Sequence, residues 1–144
     1  MVANFAKEEE INVLASGAGW GWPVALEKIF RPRGINLLVA NGTSEFVNIL
    51  ESKRVHTTIV DMGLGGLSGL STIKVIRMGF PRLPCILLAG QSSDEVLAEA
   101  LRLEVSGVVG KPVNMEILRR VLDRIFVKRY ESGIFAENIS AVKN

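Results

Sequence analysis

Short apolar runs alternate with longer segments of helical period along most of the chain. The apolar runs predict five strands, at Ile11–Leu14, Leu37–Ala40, Thr58–Val60, Ile86–Ala89 and Gly107–Val109. Three of the runs are continuously apolar, which is typical of strands covered by helices on both faces of a parallel sheet. The pattern therefore predicts an α/β fold with a doubly wound, five-stranded parallel sheet.

Five helices are predicted from apolar stripes and from the residues that begin or end a helix. The fourth has capping-box spacing between Ser92 and Glu95 at its start, and the last begins after Asn114. Helical period places the apolar residues of these two helices on their buried sides. They are Val96, Leu97, Ala100 and Leu101 in the fourth helix, and Ile117, Leu118, Val121, Leu122 and Ile125 in the last.

The length of 144 residues suits one domain with a sizeable core. Because the helical period is lost after about Glu131, we predict one domain over residues 10–130 and a frayed tail over 131–144. No apolar run is long enough to span a bilayer, and the amino terminus carries an acidic cluster where a signal peptide would be basic. We therefore expect a cytoplasmic protein without a membrane span.

Charge and rare residues exclude several classes of function. The net charge of +2 does not indicate a nucleic-acid partner, and the basic segment Arg119–Arg129 is interpreted as the solvated face of an amphipathic helix. The single cysteine, Cys85, is predicted to be a buried thiol. The single histidine, His56, is interpreted as a strand-edge residue that supplies neither a metal site nor a catalytic pair by itself.

Two charged residues directly follow predicted strands. Asp61 follows the third strand and Lys111 follows the fifth. The carboxyl ends of parallel strands lie at one edge of the sheet, where binding sites of such folds are found. We therefore expect the two side chains to meet, with the ammonium group lowering the cost of holding a carboxylate there.

The segments "IVDMGLGGLSGLSTIKVIR", "FPRLPCILLAGQSSDE" and "GVVGKPVNMEILRRVL" resemble the receiver domain of two-component response regulators. The resemblance covers roughly Glu10 to Tyr130 and depends on the spacing of Asp61, Gly69, Pro84, Lys111 and Pro112. It implies a flavodoxin-like sheet of strand order 2-1-3-4-5 and a signalling phosphoprotein of a phosphorelay that is not an enzyme. It also implies that Asp61 is the phosphoacceptor, that Lys111 contacts the phosphoryl group, and that the Lys111–Pro112 bond is cis.

The chain departs from the family pattern at the metal site. Receivers hold Mg²⁺ with a pair of acidic residues at the end of the first strand, and the matching positions are Ala15 and Ser16. Only Asp61 and a backbone carbonyl near Gly63 remain as ligands. Mg²⁺ needs several oxygen ligands in near-octahedral geometry, so we expect weak metal binding or none, and no other cofactor.

The switch of the family is also altered. The hydroxyl that bonds the phosphoryl group from the end of the fourth strand is replaced by Ala89. The aromatic switch residue three positions before the lysine is Val108, a branched side chain without comparable rotamer states. The proline usual four residues after the acceptor is replaced by Gly65.

The leading hypothesis is a stand-alone, degenerate receiver without an output domain that acts through protein contacts. The expected partner is a histidine kinase or another signalling protein, with a homodimer as a further option. Contact is expected on the face formed by the fourth helix, fifth strand and fifth helix. The alternative is a phosphorylation-competent regulator that uses Asp61 with another acidic ligand, such as Glu10 or a residue of a kinase.

A third hypothesis concerns the glycine-rich turn "GAGWGW" after the first strand. It is a small nucleotide-binding domain, but the third glycine position of a dinucleotide fingerprint holds Trp22, and the second strand does not end in an acidic residue. Trp20 and Trp22 are interpreted as residues that cap the core. The alternative for them is a place over the Asp61 pocket or in a partner contact.

Overall fold

The computed structural model describes residues 10–16, 22–63, 68–90 and 93–137, in which five strands and five helices alternate. The strands are β1 (Ile11–Ser16), β2 (Ile35–Ala40), β3 (Thr57–Asp61), β4 (Cys85–Ala89) and β5 (Gly107–Gly110). The helices are α1 (Trp22–Phe30), α2 (Thr43–Ser52), α3 (Ser68–Gly79), α4 (Asp94–Arg102) and α5 (Met115–Tyr130). Each strand extends its predicted apolar run by one or two residues.

All strands are parallel, and their order in the sheet is β2-β1-β3-β4-β5. This confirms the doubly wound, flavodoxin-like architecture. The strand order reverses between β1 and β3, so the carboxyl ends of these two strands flank the crevice where ligands of such sheets bind. Ser16 and Asp61 are the residues that end these strands.

Alternate side chains of the sheet enter two cores, one on each face. The core on the side of α1 and α5 includes Val13, Ile59 and Phe126, whereas the core on the side of α2, α3 and α4 includes Leu14, Val60 and Phe46. The strands β3 and β4 are buried along their whole length. This burial explains the continuously apolar sequence of β4, and it extends to the polar residues of β3, Thr57, Thr58 and Asp61, which are buried as well.

The predicted buried stripes of α4 and α5 are wrong in part. Ala100 is buried, but Leu97 and Leu101 of α4 are 41% and 78% exposed, and Ile117 of α5 is 48% exposed. These two helices flank β5, a short strand at the edge of the sheet, so there is less surface for them to cover. Periodicity finds the apolar side of a helix but not the width of the surface that it meets.

The start of α4 also differs from the prediction. Its N-cap is Ser93, whose hydroxyl accepts a hydrogen bond from Val96 N at 3.2 Å. Ser92, the predicted cap, lies outside the described residues. The prediction that α5 begins after Asn114 is confirmed, since Asn114 Oδ1 accepts from the amides of the first helical turn.

The segment 131–137 is not frayed, contrary to prediction. Phe135 is fully buried, and its ring packs edge-on against Phe30 of α1 and Phe126 of α5, with centroids 5.6 and 4.9 Å away. Arg33 fixes the backbone of the same segment by donating to the carbonyls of Ile134 and Ala136 at 2.8 and 2.9 Å. The buried Phe135 ring and the hydrogen bonds from Arg33 therefore anchor this segment, although its sequence has no helical period.

The single histidine and cysteine are both buried. Cys85 is buried as predicted, and burial raises the pKa of its thiol. His56 was interpreted as a strand-edge residue, but it is 1% exposed, and its Nδ1 accepts from Asn12 N at 3.2 Å. Burial, with a smaller contribution from Arg54, lowers the pKa of His56 to about 4. None of the described helices is long and apolar enough to cross a membrane.

Candidate functional site

Asp61 and Lys111 form an ion pair at the carboxyl edge of the sheet. Lys111 Nζ lies 2.6 Å from Asp61 Oδ1 and donates to it. The Asp61 side chain is 3% exposed and that of Lys111 is 28% exposed. Because β4 lies between β3 and β5, the lysine side chain reaches across the end of β4 to the carboxylate. The expected meeting of the two charged residues is therefore observed.

The loop after β3 supplies a second donor to the same oxygen. Gly63 N donates to Asp61 Oδ1 at 2.8 Å, which closes a tight turn over the aspartate. Gly63 has a φ of 84°, in the left-handed region that glycine adopts without strain. The turn therefore fixes the carboxylate and leaves Oδ1 with two donors.

The other carboxylate oxygen, Oδ2, differs from Oδ1 in its hydrogen bonding. Asp61 Oδ2 is buried and accepts no hydrogen bond from the part of the chain that the structure describes. It belongs to a residue that lines a cavity of about 300 Å³ between the sheet and the helices α2 and α3. The other lining residues are Ser16, Ala40, Asn41, Gly42, Thr43, Phe46, Val60, Gly63 and Thr72.

Helix α3 begins very close to the end of β3. A Cβ atom on Gly69 would lie 2.6 Å from the Asp61 carbonyl oxygen and 2.7 Å from Met62 Cα. Side-chain carbons do not approach backbone atoms so closely, so only glycine fits at this position. Gly69 thus sets how near α3 lies to the aspartate.

The residues at the metal-pair positions do not fit Mg²⁺. Ala15 is fully buried in the core, and Ser16 Oγ accepts from Asp61 N at 3.0 Å, so the hydroxyl is engaged by the backbone of the acceptor residue. Within the described ranges, no three His, Cys, Asp or Glu side chains are placed to hold a metal. A divalent ion would meet one carboxylate that already has an ammonium group on it.

Glu10 cannot replace the missing pair. It precedes β1, whereas Ser16 ends that strand at the same edge as Asp61. Six residues of extended chain span roughly 20 Å. Glu10 instead accepts from Asn36 Nδ2 at 3.2 Å at the opposite edge of the sheet. The hypothesis that Glu10 serves as the second acidic ligand is therefore wrong.

The remaining residues implied by the resemblance lie around the pair. Ala89 ends β4, is 3% exposed and has no hydroxyl to donate. Val108, at the switch position of β5, is 39% exposed. The Lys111–Pro112 peptide bond is cis. Gly65 and Trp20 lie outside the described residues.

Sequence reasoning missed several groups of the site. Ser16 was noted as a lost carboxylate, but its hydroxyl is an acceptor for the Asp61 amide. Thr43 and Thr72 were not identified, although their hydroxyls lie 2.8 Å apart and both residues line the cavity. A hydroxyl on a helix gives no signal in the sequence that it faces a cavity. Only the packing of α2 beside α3 brings these two together.

Comparison with known proteins identifies the family. Residues 24–123 match the family described as response regulator receiver domain. The chain belongs to this family. The receiver domain is 30% identical over 98 residues to a response regulator of the NtrX-like type from Rickettsia bellii, and the match covers 67% of this chain and 20% of that protein. It is 23% identical over 118 residues to the transcriptional regulatory protein ZraR of Salmonella typhimurium, covering 82% of this chain and 27% of that protein.

Solved structures show the same fold. Chemotaxis protein CheY4 of Vibrio cholerae superposes with a TM-score of 0.71 at 22% identity, covering 81% of this chain and 98% of that one. The signal receiver domain of an HD domain-containing protein of Pseudomonas fluorescens has a TM-score of 0.75 at 19% identity, covering 86% and 100%. The receiver domain spans about a fifth to a quarter of the length of the curated relatives that it matches. The family match therefore identifies a receiver domain of two-component signalling, and the comparison covers only this part of the longer relatives.

Proposed function

We propose that this receiver domain signals through contacts with partner proteins, without Mg²⁺-dependent phosphorylation of Asp61. The observation that carries the proposal is that Asp61 Oδ1 is held by Lys111 Nζ at 2.6 Å while Ala15 and Ser16 stand where the family has its acidic pair. Without a bound cation, little neutralises the charge that develops when a carboxylate attacks a phosphoryl group. Phosphoryl transfer to Asp61 is therefore expected to be slow.

The proposed partner surface is the face formed by α4, β5 and α5. Leu97 and Leu101 of α4, Val108 of β5 and Ile117 of α5 are all exposed on these elements. Exposed apolar side chains grouped on one face are typical of protein interfaces. Receiver domains typically interact with histidine kinases, so a kinase or another signalling protein is the proposed partner, and a homodimer is the alternative.

Intact-mass measurement tests the proposal. The chain is incubated with acetyl phosphate and Mg²⁺ and then weighed, with Asp61→Asn as the control. The expected result is no stoichiometric phosphoryl increment. An increment that is complete in the original chain and absent from Asp61→Asn would overturn the proposal.

A gain-of-function variant makes the test sharper. Ser16→Asp places a carboxylate at the end of β1 beside the Asp61 backbone, so Mg²⁺ affinity and phosphorylation should both increase. Ser52→Asp adds the same charge at the exposed far end of α2 and should change neither. If Ser16→Asp binds Mg²⁺ and still acquires no phosphate, the missing acidic pair is not the cause of the inactivity.

One observation favours the alternative, a phosphorylation-competent regulator. Asp61 Oδ2 has no hydrogen-bond donor among the described residues, and Asp61 lines the 300 Å³ cavity, so a small movement of the side chain would expose an oxygen that no internal hydrogen bond holds. In this alternative Lys111, whose Nζ lies 2.6 Å from Asp61 Oδ1, would contact a phosphoryl group on Asp61. In this alternative, the missing acidic ligand comes from a kinase. Phosphorylation by a purified cognate kinase, but not by acetyl phosphate, would support it.

A further inference from the structure

A basic groove lies at the amino ends of the parallel strands, on the side of the sheet opposite to the carboxyl ends that carry Asp61. It has a volume of about 780 Å³ and is bordered by the residues that precede β4 and β5 and by the last turns of α5. Five cations line it, against one carboxylate, that of Glu104. The cations are Arg77, Arg82, Arg124, Lys128 and Arg129. We refer to this feature as the basic groove.

The positive charge of the chain is concentrated there. The net charge of the whole chain is only +2, so the charge outside the basic groove is negative in sum. None of the ion pairs described for the chain involves Arg82, Arg124 or Lys128. These three side chains can therefore pair with an external anion without breaking an internal ion pair.

The basic segment of α5, which the sequence suggested to be a uniform solvated face, divides into two parts. Arg119 is buried and donates to Glu116, and Arg120 also pairs with Glu116. The hydrogen bond from Arg119 lowers the pKa of Glu116 to about 2. The cations in this part of the helix are therefore paired within the chain. One and two turns further on, Arg124 and Lys128 face the basic groove instead.

Arg77 holds the walls of the basic groove in place. Its guanidinium donates to the carbonyls of Leu83, Leu103 and Glu104, at 2.5, 2.9 and 3.2 Å respectively. These bonds tie α3 to the loop before β4 and to the turn before β5. The shape of the groove is therefore set before a ligand arrives, which reduces the entropy cost of binding.

The lining favours a peptide over a nucleic acid. Apolar residues also line the basic groove: Pro81 is exposed and Val105 is half-buried, whereas Leu83, Pro84 and Ile125 are buried beneath them. None of the lining residues is aromatic, so the stacking on which single-stranded nucleic acid binding depends is not available. Its volume is within the usual range of ligand sites, roughly 300–1,000 Å³, and is much larger than a phosphate ion requires. Cations and apolar residues in one groove match a peptide that contains both acidic and apolar residues.

We propose that the basic groove binds an acidic, partly apolar peptide segment of a partner protein. Carboxylates of the segment would accept hydrogen bonds from Arg82, Arg124 and Lys128, and its apolar side chains would lie on Pro81 and Val105. The basic groove is at the other edge of the sheet from Asp61, so this contact does not depend on the state of the aspartate.

Binding is measured on the whole chain by fluorescence anisotropy with a short labelled peptide in which Glu alternates with Leu. Arg124→Gln/Lys128→Gln should weaken binding at least about tenfold, the effect expected when two charge-assisted hydrogen bonds are lost. The matched control, Arg31→Gln/Arg120→Gln, removes the same charge from exposed sites outside the basic groove. It should change the affinity less than about twofold. Asp61→Asn should bind like the original chain.

Changes in the backbone amide chemical shifts on addition of the peptide locate the contact. We expect the largest changes at Val105, Ser106 and Gly107. Four results would overturn the proposal. The first three are no binding of the Glu-Leu peptide, equal weakening by both charge pairs, and equal binding of a glutamate-only peptide. The fourth is tighter binding of single-stranded DNA, which would favour a nucleic-acid site. Thermal unfolding of both variants confirms that the comparison is made on folded protein.

Discussion

The ion pair between Asp61 and Lys111 couples the contributions of the two residues to the free energy of unfolding. Asp61 is almost fully buried, and its Oδ1 accepts from the ammonium group and from Gly63 N. Removal of the ammonium group would leave a largely buried carboxylate without its counter-charge. Truncating one partner of a buried pair is much more destabilising than replacing both.

A double-mutant cycle tests this coupling. We expect Lys111→Met to lower the free energy of unfolding by about 2–4 kcal/mol because the buried carboxylate loses its counter-charge. Asp61→Asn/Lys111→Met should recover most of that loss, since no buried charge remains. Urea unfolding at neutral pH measures both variants. Equal destabilisation by the single and the double variant would show that the pair is not coupled.

At the scale of elements, the site depends on how closely α3 approaches β3. Gly69 is the point of contact, since a Cβ there would lie 2.6 Å from a backbone oxygen of Asp61. The other end of α3 is different, because a Cβ on Gly79 would meet no atom within 4 Å. The two glycines of one helix therefore form a matched pair for experiment.

We expect Gly69→Ala to destabilise the domain by about 1–3 kcal/mol, because a backbone must shift to accept the methyl group. Gly79→Ala should be neutral or slightly stabilising, since the methyl group reduces the freedom of the unfolded chain without a clash. Thermal unfolding of the two variants gives the comparison. Equal effects would mean that α3 can move away from β3 at little cost.

The segment after α5 is a second element whose position depends on few residues. We expect Phe135→Ala to cost about 3–5 kcal/mol, because the ring is fully buried against α1 and α5. Val127→Ala, at a position 51% exposed on α5, should cost much less. Denaturant unfolding compares them. A cost for Phe135→Ala no larger than that of Val127→Ala would show that the segment contributes little to the fold.

At the scale of the whole molecule, a buried histidine links stability to pH. The pKa of His56 is about 4 in the folded chain, against an ordinary value of 6.5. Between these values the unfolded chain binds a proton that the folded chain does not. Stability is therefore complete above about pH 6.5 and decreases as the pH falls towards 4.

The expected loss from His56 is roughly 1–3 kcal/mol between pH 6.5 and 4. Urea unfolding between pH 5 and 7 measures it above the range where most carboxylates titrate. His56→Gln keeps a polar side chain without a titration in this range, so its stability should vary less with pH. An identical pH dependence in both proteins would exclude His56 as the source.

The two ends of the parallel strands carry chemically different groups. The carboxyl edge carries the paired charges of Asp61 and Lys111, and the amino edge carries the basic groove with Arg124 and Lys128. Parallel strands make this separation possible, because all of them begin at one edge and end at the other. A contact at one edge can therefore be varied by mutation without changing the other.

The sequence by itself determined the strands, their parallel pairing and the placement of Asp61 and Lys111 at the same edge. Buried strands require continuous apolar runs, and residues that directly follow parallel strands must share an edge. The absence of a carboxylate at Ala15 and Ser16 and of a hydroxyl at Ala89 was equally readable, because it is a matter of residue type.

Only the tertiary structure decided which side chains are engaged and which are available. It assigned Ser16 Oγ to the Asp61 amide, buried Phe135 of the segment after α5 against α1 and α5, and separated the role of Arg119 from that of Arg124 along one helix. Each of these depends on contacts between residues far apart in the chain. Local propensity and periodicity contain no information on such contacts, since they report only which side of an element is apolar.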